Sequence, residues 1–130
     1  MNKVSILIVD DDDAVCEALS DVVELRGGYS ADTAGTAREA LDKAKEQFFN
    51  VALLDMTLPD MEGMELLRQL KELHQATEVI ILTGHTSVEM AEEAVREGAF
   101  AYLVKPSSPD ELTGAIEGAL EKQKMLRGEE

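Results

Sequence analysis

Four acidic residues, Asp10, Asp11, Asp12 and Asp13, follow directly on the apolar run VSILIV, and a fifth, Asp55, follows directly on VALL. The run EVIILT ends at Thr83-Gly84, and FAYLV leads straight into Lys105-Pro106. If Asp10, Asp11 and Asp55 converge in the fold, their carboxylates repel one another and hold their charge only with a cation between them. Hard oxygen ligands select Mg2+ or Mn2+, and the small, hydrated Mg2+ suits one or two carboxylates together with water and a phosphate oxygen. Three carboxylates, one divalent ion and the Lys105 ammonium sum to zero charge. An incoming phosphoryl group would therefore meet a neutralised pocket in which a carboxylate can act as nucleophile. Arg96 is the only arginine or lysine between Lys71 and Lys105, so this cation is not part of a general basic surface. It is expected to pair with Asp55 or with a phosphoryl oxygen.

Each of these residues also has a plainer reading. Asp12 or Asp13 serves as the N-cap of a helix beginning at Ala14, accepting from free N–H groups and complementing the helix dipole. Thr83 alone reads as a strand-end residue and Lys105 alone as a snorkelling surface lysine. The placement of Asp55 after a strand of buried type, with TLPDMEG supplying a turn to present it, is harder to explain by turn chemistry. Acid, hydroxyl and ammonium each standing at the end of a separate apolar run is what makes a chemical set.

Those positions need elements to hold them. Five apolar runs of strand length occupy residues 4–9, 29–34 (the weakest), 50–55, 78–83 and 100–104. Between and after them, apolar residues recur three and four apart: Val15, Leu19, Val22; Ala37, Ala40, Leu41, Ala44; Leu66, Leu67, Leu70; Val88, Ala91, Val95; Leu112, Ala115, Ile116, Ala119. These are amphipathic helices. Start signals stand at Thr36 with Glu39, Thr86 with Glu89, and Ser108 with Pro109 and Glu111, while Gly27-Gly28 and Gly98 mark helix ends. Runs as continuous as ILIV and VIIL must be covered on both faces. The chain therefore reads as an α/β domain: a doubly wound, five-stranded parallel sheet with helices on both faces. In such sheets ligands bind at the carboxyl ends of the strands, where the strand order reverses.

Composition bounds the function. With 130 residues there is room for one domain, assigned to residues 1–122, and the segment 123–130 loses the apolar period and reads as a tail or the start of a linker. The formal charge of 12 − 27 = −15 excludes a chain that grips nucleic acid by itself. No stretch has the apolar length of a membrane span, and the start MNKVSILIVD lacks the layout of a secretory signal, so a cytoplasmic setting is expected. The single cysteine, Cys16, reads as a small core residue.

The ordered fragments ILIVDDDD, LLDMTLPDMEG, IILTG and AYLVKP resemble the receiver domain of two-component response regulators over about residues 4 to 122. The resemblance implies a flavodoxin-like receiver fold. It also implies that Asp10 and Asp11 form the metal-binding acidic pair, Asp11 the more direct ligand, and that Asp55 is the phosphoryl acceptor and a metal ligand. The main-chain carbonyl of Thr57 matches a further metal ligand, Thr83 the hydroxyl that binds a phosphoryl oxygen, and Lys105 the family's lysine, with Pro106 after a cis peptide bond. Tyr102 matches the aromatic that moves with Thr83 on activation. Thr57 and His85 flank the path of the hydrolytic water and tune dephosphorylation. His85 implies a rate that changes between about pH 6 and 7.5. The implied partners are a sensor histidine kinase or a phosphotransfer protein, and a second copy joined through the fourth helix, fifth strand and fifth helix. On this reading the chain is a signalling phosphoacceptor that catalyses its own phosphorylation and dephosphorylation.

Three other readings compete. A haloacid-dehalogenase-like phosphatase needs an acid two residues after its nucleophile, where this chain has Thr57. A flavodoxin-like cofactor carrier needs hydroxyl and glycine donors after the first strand, where four aspartates would repel a phosphate. A receiver fold used only as a phosphorylation-independent interaction module would not need the full set of acids, threonine and lysine.

Overall fold

The computed structural model describes residues 3–84 and 87–126. Strands and helices alternate: β1 (Ser5–Val9), α1 (Asp13–Asp21), β2 (Ser30–Ala34), α2 (Ala37–Glu46), β3 (Val51–Leu54), α3 (Gly63–Leu73), β4 (Glu78–Thr83), α4 (Val88–Arg96), β5 (Ala99–Val104) and α5 (Pro109–Leu126). The strands form one parallel sheet in the order β2-β1-β3-β4-β5. The order reverses between β1 and β3, so the crevice at their carboxyl ends is flanked by the residues that follow each, Asp10 and Asp55.

Alternate residues of the central strands feed two separate apolar layers, as a period of two dictates. Leu7, Val9, Ala52, Leu54, Val79 and Ile81 meet α2, α3 and α4 through Ala40, Leu67 and Ala94. Ile6, Ile8, Val51, Leu53, Ile80 and Leu82 meet α1 and α5 through Cys16, Leu112 and Ile116. The continuous apolar runs VALL and EVIILT are buried at every position, whereas SADTA lies half-buried at the sheet edge.

Several local expectations shift by a residue. Helix α1 passes into a π-helical turn, Val22–Arg26; its fully buried positions are Cys16, as expected, and Val23, seven residues on, while Val15, Leu19 and Val22 are half-buried. Asp12 caps α1, accepting from Ala14 N, so the helix begins at Asp13. Ser87 caps α4, accepting from Met90 N; Thr86, the cap expected from sequence, lies outside the described residues. Gly28 and Gly98 do adopt positive φ, 71° and 106°, where a side chain would be strained.

Helix α5 continues beyond the end of the apolar period to Leu126. Gln123 explains why: its Nε2 donates to the carbonyls of Asn50 and Ala76 at 2.9 and 2.7 Å, and its Oε1 accepts from Asn50 Nδ2 at 2.9 Å. Asn50 Oδ1 accepts in turn from Ser5 N. A polar side chain thereby fastens the helix to the amino ends of the strands at a position that reads from sequence as the start of a tail. Among the described residues, no helix is long and apolar enough to cross a membrane.

Candidate functional site

Backbone pairing carries the site residues to one edge of the sheet. Asp10 N donates to Ala34 O, and Asp55 N donates to Val9 O, so the ladder holds both residues one step past their strands. Lys105 N donates to Thr83 O at 2.8 Å, fixing the exit of β5 beside the end of β4, and the Lys105-Pro106 peptide is cis. Oxygens of Asp10, Asp11 and Asp55 lie within 4.8 Å of one another. Asp10 and Asp55 are 3% and 9% exposed, whereas Asp11 stands in solvent, so two ligands are fixed by the core and the third is free to adjust. An all-oxygen set of this spacing fits a hard divalent ion with Mg2+-like preferences.

Lys105 Nζ donates to Asp10 Oδ2 at 2.6 Å and to Asp55 Oδ2 at 3.5 Å. It pairs with Asp55 as expected from sequence, and its closer partner is Asp10, which the sequence reading did not name. Burial of the ammonium opposes its charge, but the hydrogen bond and charge of Asp10, followed by those of Asp55, outweigh it and hold the lysine above its ordinary value. The other oxygen of Asp10 accepts from Asp12 N at 2.9 Å. Asp55 Oδ1 accepts from Thr57 N at 3.3 Å, and Thr57 bridges Glu62 across the loop that follows β3.

Thr83 is fully buried at the end of β4. Tyr102 sits on β5 opposite Ile81, its ring half-buried against the layer that contains Met90, and this burial raises its phenol. His85 lies outside the described residues.

Three supports were not legible in the residue pattern. The Cys16 thiol donates to the main-chain carbonyl of Asp10 at 3.3 Å, so this core residue also steadies the acidic loop. Desolvation, then the charge of Asp10, push that thiol up. Gly63 packs so closely that a Cβ there would lie 2.6 Å from Met56 Cα and 2.7 Å from Asp55 O, and its N–H donates to Met56 O at 3.0 Å. Only glycine lets α3 begin against the residues that follow β3. Asp60 reaches from the same loop to the head of α2, its two oxygens accepting from Ala37 N and Arg38 N, both at 2.9 Å. Those two N–H groups hold its carboxyl below the ordinary value. Glycine in TLPDMEG could have signalled the close approach, but nothing local could signal the reach of Asp60 to α2.

The comparisons agree with this geometry. Residues 6–117 match the family model described as response regulator receiver domain. The transcriptional regulatory protein ZraR of Escherichia coli is 40% identical over 120 residues, which span 92% of this chain and 27% of that protein. The receiver domain protein of Methanospirillum hungatei superposes with a TM-score of 0.91 at 40% identity, covering 95% of this chain and 98% of that one. The beryllofluoride-activated NtrC4 receiver domain dimer superposes with a TM-score of 0.87 at 39% identity, covering 92% and 98%. This chain spans about a quarter of ZraR, so the likeness concerns one part of that regulator. An acidic triad at the point where strand order reverses, a lysine reaching into it, and a family match over most of the sequence lead to one conclusion: the chain belongs to the response regulator receiver domain family.

Proposed function

We propose that Asp55 accepts a phosphoryl group from the phosphohistidine of a sensor histidine kinase or a phosphotransfer protein. The observation that carries this reading is the position of the Asp55 carboxylate, with Asp10 and Asp11 oxygens within 4.8 Å and the Lys105 ammonium at 3.5 Å. A carboxylate oxygen attacks phosphorus, the N–P bond of the donor breaks, and an acyl phosphate forms on Asp55. Phosphoryl transfer depends mainly on positioning and charge neutralisation. Asp10, Asp11, Asp55 and the Thr57 carbonyl would hold Mg2+, with Mn2+ an alternative, and the ion supplies charge neutralisation for the phosphoryl oxygens. Lys105, already between Asp10 and Asp55, supplies the remaining positive charge.

Thr83, at the end of β4, hydrogen-bonds the new phosphoryl group and moves toward it, and Tyr102 turns into the space released. The face made by α4, β5 and α5 then changes, and that face joins two copies. The switch rests on contacts that exist only in the phosphorylated state. Water later hydrolyses the acyl phosphate at a rate that Thr57 and His85 tune. A dephosphorylation rate that is flat between about pH 6 and 7.5 would remove His85 from this role. The working compartment on this reading is the cytoplasm, where the donor domains of histidine kinases lie.

Intact-mass measurement after incubation with acetyl phosphate and Mg2+ tests the acceptor. The wild-type chain gains one phosphoryl group and Asp55→Asn gains none. Equal gain by both would move the acceptor elsewhere.

A further inference from the structure

A groove of about 440 Å³ opens between the loop after β3, the head of α3 and α4, with Thr57 among its lining residues. Met56, Leu58, Met64 and Met90 form its apolar part. Met56, Leu58 and Met64 are its floor, only 8%, 9% and 5% exposed and continuous with the core, and half-buried Met90 is the wall that an incoming apolar side chain would meet; an unbranched, polarisable methionine adapts to differently shaped partners. Glu62 and Glu93 stand on the lining, which contains no lysine or arginine among the described residues. Arg68, which meets Glu93, does not offset them: it is shared with Glu97 at 3.0 Å, Glu65 at 3.3 Å and Glu93 at 3.4 Å. One guanidinium among three carboxylates leaves the seam between α3 and α4 with two surplus negative charges.

We propose that this groove is the docking site for a basic amphipathic helix of a partner protein. Its apolar side chains meet Met90 and the floor beneath it, and its lysines or arginines meet Glu62 and the surplus charge at Glu93. This is helix-in-groove recognition with an acidic rim. A second copy of this chain would bring a net acidic surface to this acidic rim, so the joining of two copies is assigned to the α4, β5 and α5 face and not to this groove.

Methionine methyl labelling tests the site directly, using unphosphorylated protein, so that the result is independent of the role given to Asp55. The probe is an amphipathic peptide of leucine and lysine, about 14 residues long, the length at which a short helix becomes marginally stable. The methyl signals of Met56, Met64 and Met90 shift saturably, while that of Met125, exposed on α5, stays in place. Glu62→Lys weakens binding about fivefold, the upper range for a partly exposed ion pair, whereas Glu121→Lys on α5 makes the same change in net charge and alters binding less than about twofold. Glu62 makes no side-chain capping bond to α3, so its replacement leaves that helix start intact. Equal weakening by both substitutions, or a Met125 shift as large as the others, would reduce the binding to bulk charge and overturn the proposal. Absence of any shift at about 1 mM peptide would overturn it as well.

Discussion

Gly63 offers the sharpest test of how the acceptor is held in place. Gly→Ala inside a helix ordinarily stabilises by up to about 1 kcal/mol, because alanine has less backbone entropy to lose. At Gly63 the sign should reverse. The added Cβ would stand 2.6 Å from Met56 Cα and 2.7 Å from Asp55 O, and both are backbone atoms that no rotamer change can move aside. Overpacking of this kind costs about 1–3 kcal/mol, and the first residue of a helix recovers little of the alanine propensity, so a net loss of about 1–2 kcal/mol is expected. For a domain of this size that lowers the melting temperature by about 5 °C. Gly114, exposed on α5 with nothing within 4 Å of the place a methyl group would take, is the control and should gain up to about 1 kcal/mol on the same change. Urea denaturation of both variants in EDTA measures the pair as midpoint shifts in opposite directions at unchanged slope. Because relief of the clash must move residues 55 and 56, Gly63→Ala should also weaken Mg2+ binding severalfold. A Gly63→Ala variant as stable as the wild-type chain, or more so, would refute the close-approach reading.

Three further outcomes follow from the charges at the sheet edge. With Lys105 counted, the triad carries a formal charge of −2 without metal; Asp11→Asn halves it and should stabilise the metal-free chain by about 1 kcal/mol or less while weakening Mg2+ at least tenfold, as read by melting in EDTA and by Mg2+ titration. Unchanged stability together with unchanged Mg2+ affinity would contradict it. Lys105→Met removes a competing cation, so Mg2+ should bind about fivefold tighter although transfer to Asp55 slows; weaker Mg2+ binding would count against the electrostatic account. Lys105 also sets a pH window. Its folded value is raised from 10.5, so its stabilising contact is fully present below 10.5 and disappears as pH climbs through the higher folded value. The stability difference between wild type and Lys105→Met should therefore be constant between about pH 6 and 9, and a slope across that interval would show that another group is responsible.

The sheet was legible because its signal is local: ILIV, VALL and VIIL are too continuous to have a wet face, and they became the buried strands β1, β3 and β4. The residues one step beyond them were legible for the same reason, and Asp10, Asp11 and Asp55 do converge. What escaped were choices between neighbours and contacts across long stretches of chain. Lys105 stands within reach of two carboxylates, and spacing cannot say that Asp10 is the nearer. Ser87 and Thr86 both carry a capping hydroxyl, and the spacing of apolar residues does not say that Ser87 is the N-cap of α4. Gln123 looked like the end of a pattern, yet it is 3% exposed, because the carbonyls it satisfies lie 47 and 73 residues earlier.

The bond from Asp60 to the start of α2 links two parts of the molecule that sequence keeps far apart. The loop bearing Thr57 cannot shift without loosening or tightening the amide protons of Ala37 and Arg38, which have no helical acceptor of their own. Those two protons are consequently remote gauges: their exchange rates and chemical shifts should register ion binding or acylation at Asp55, although neither residue touches it.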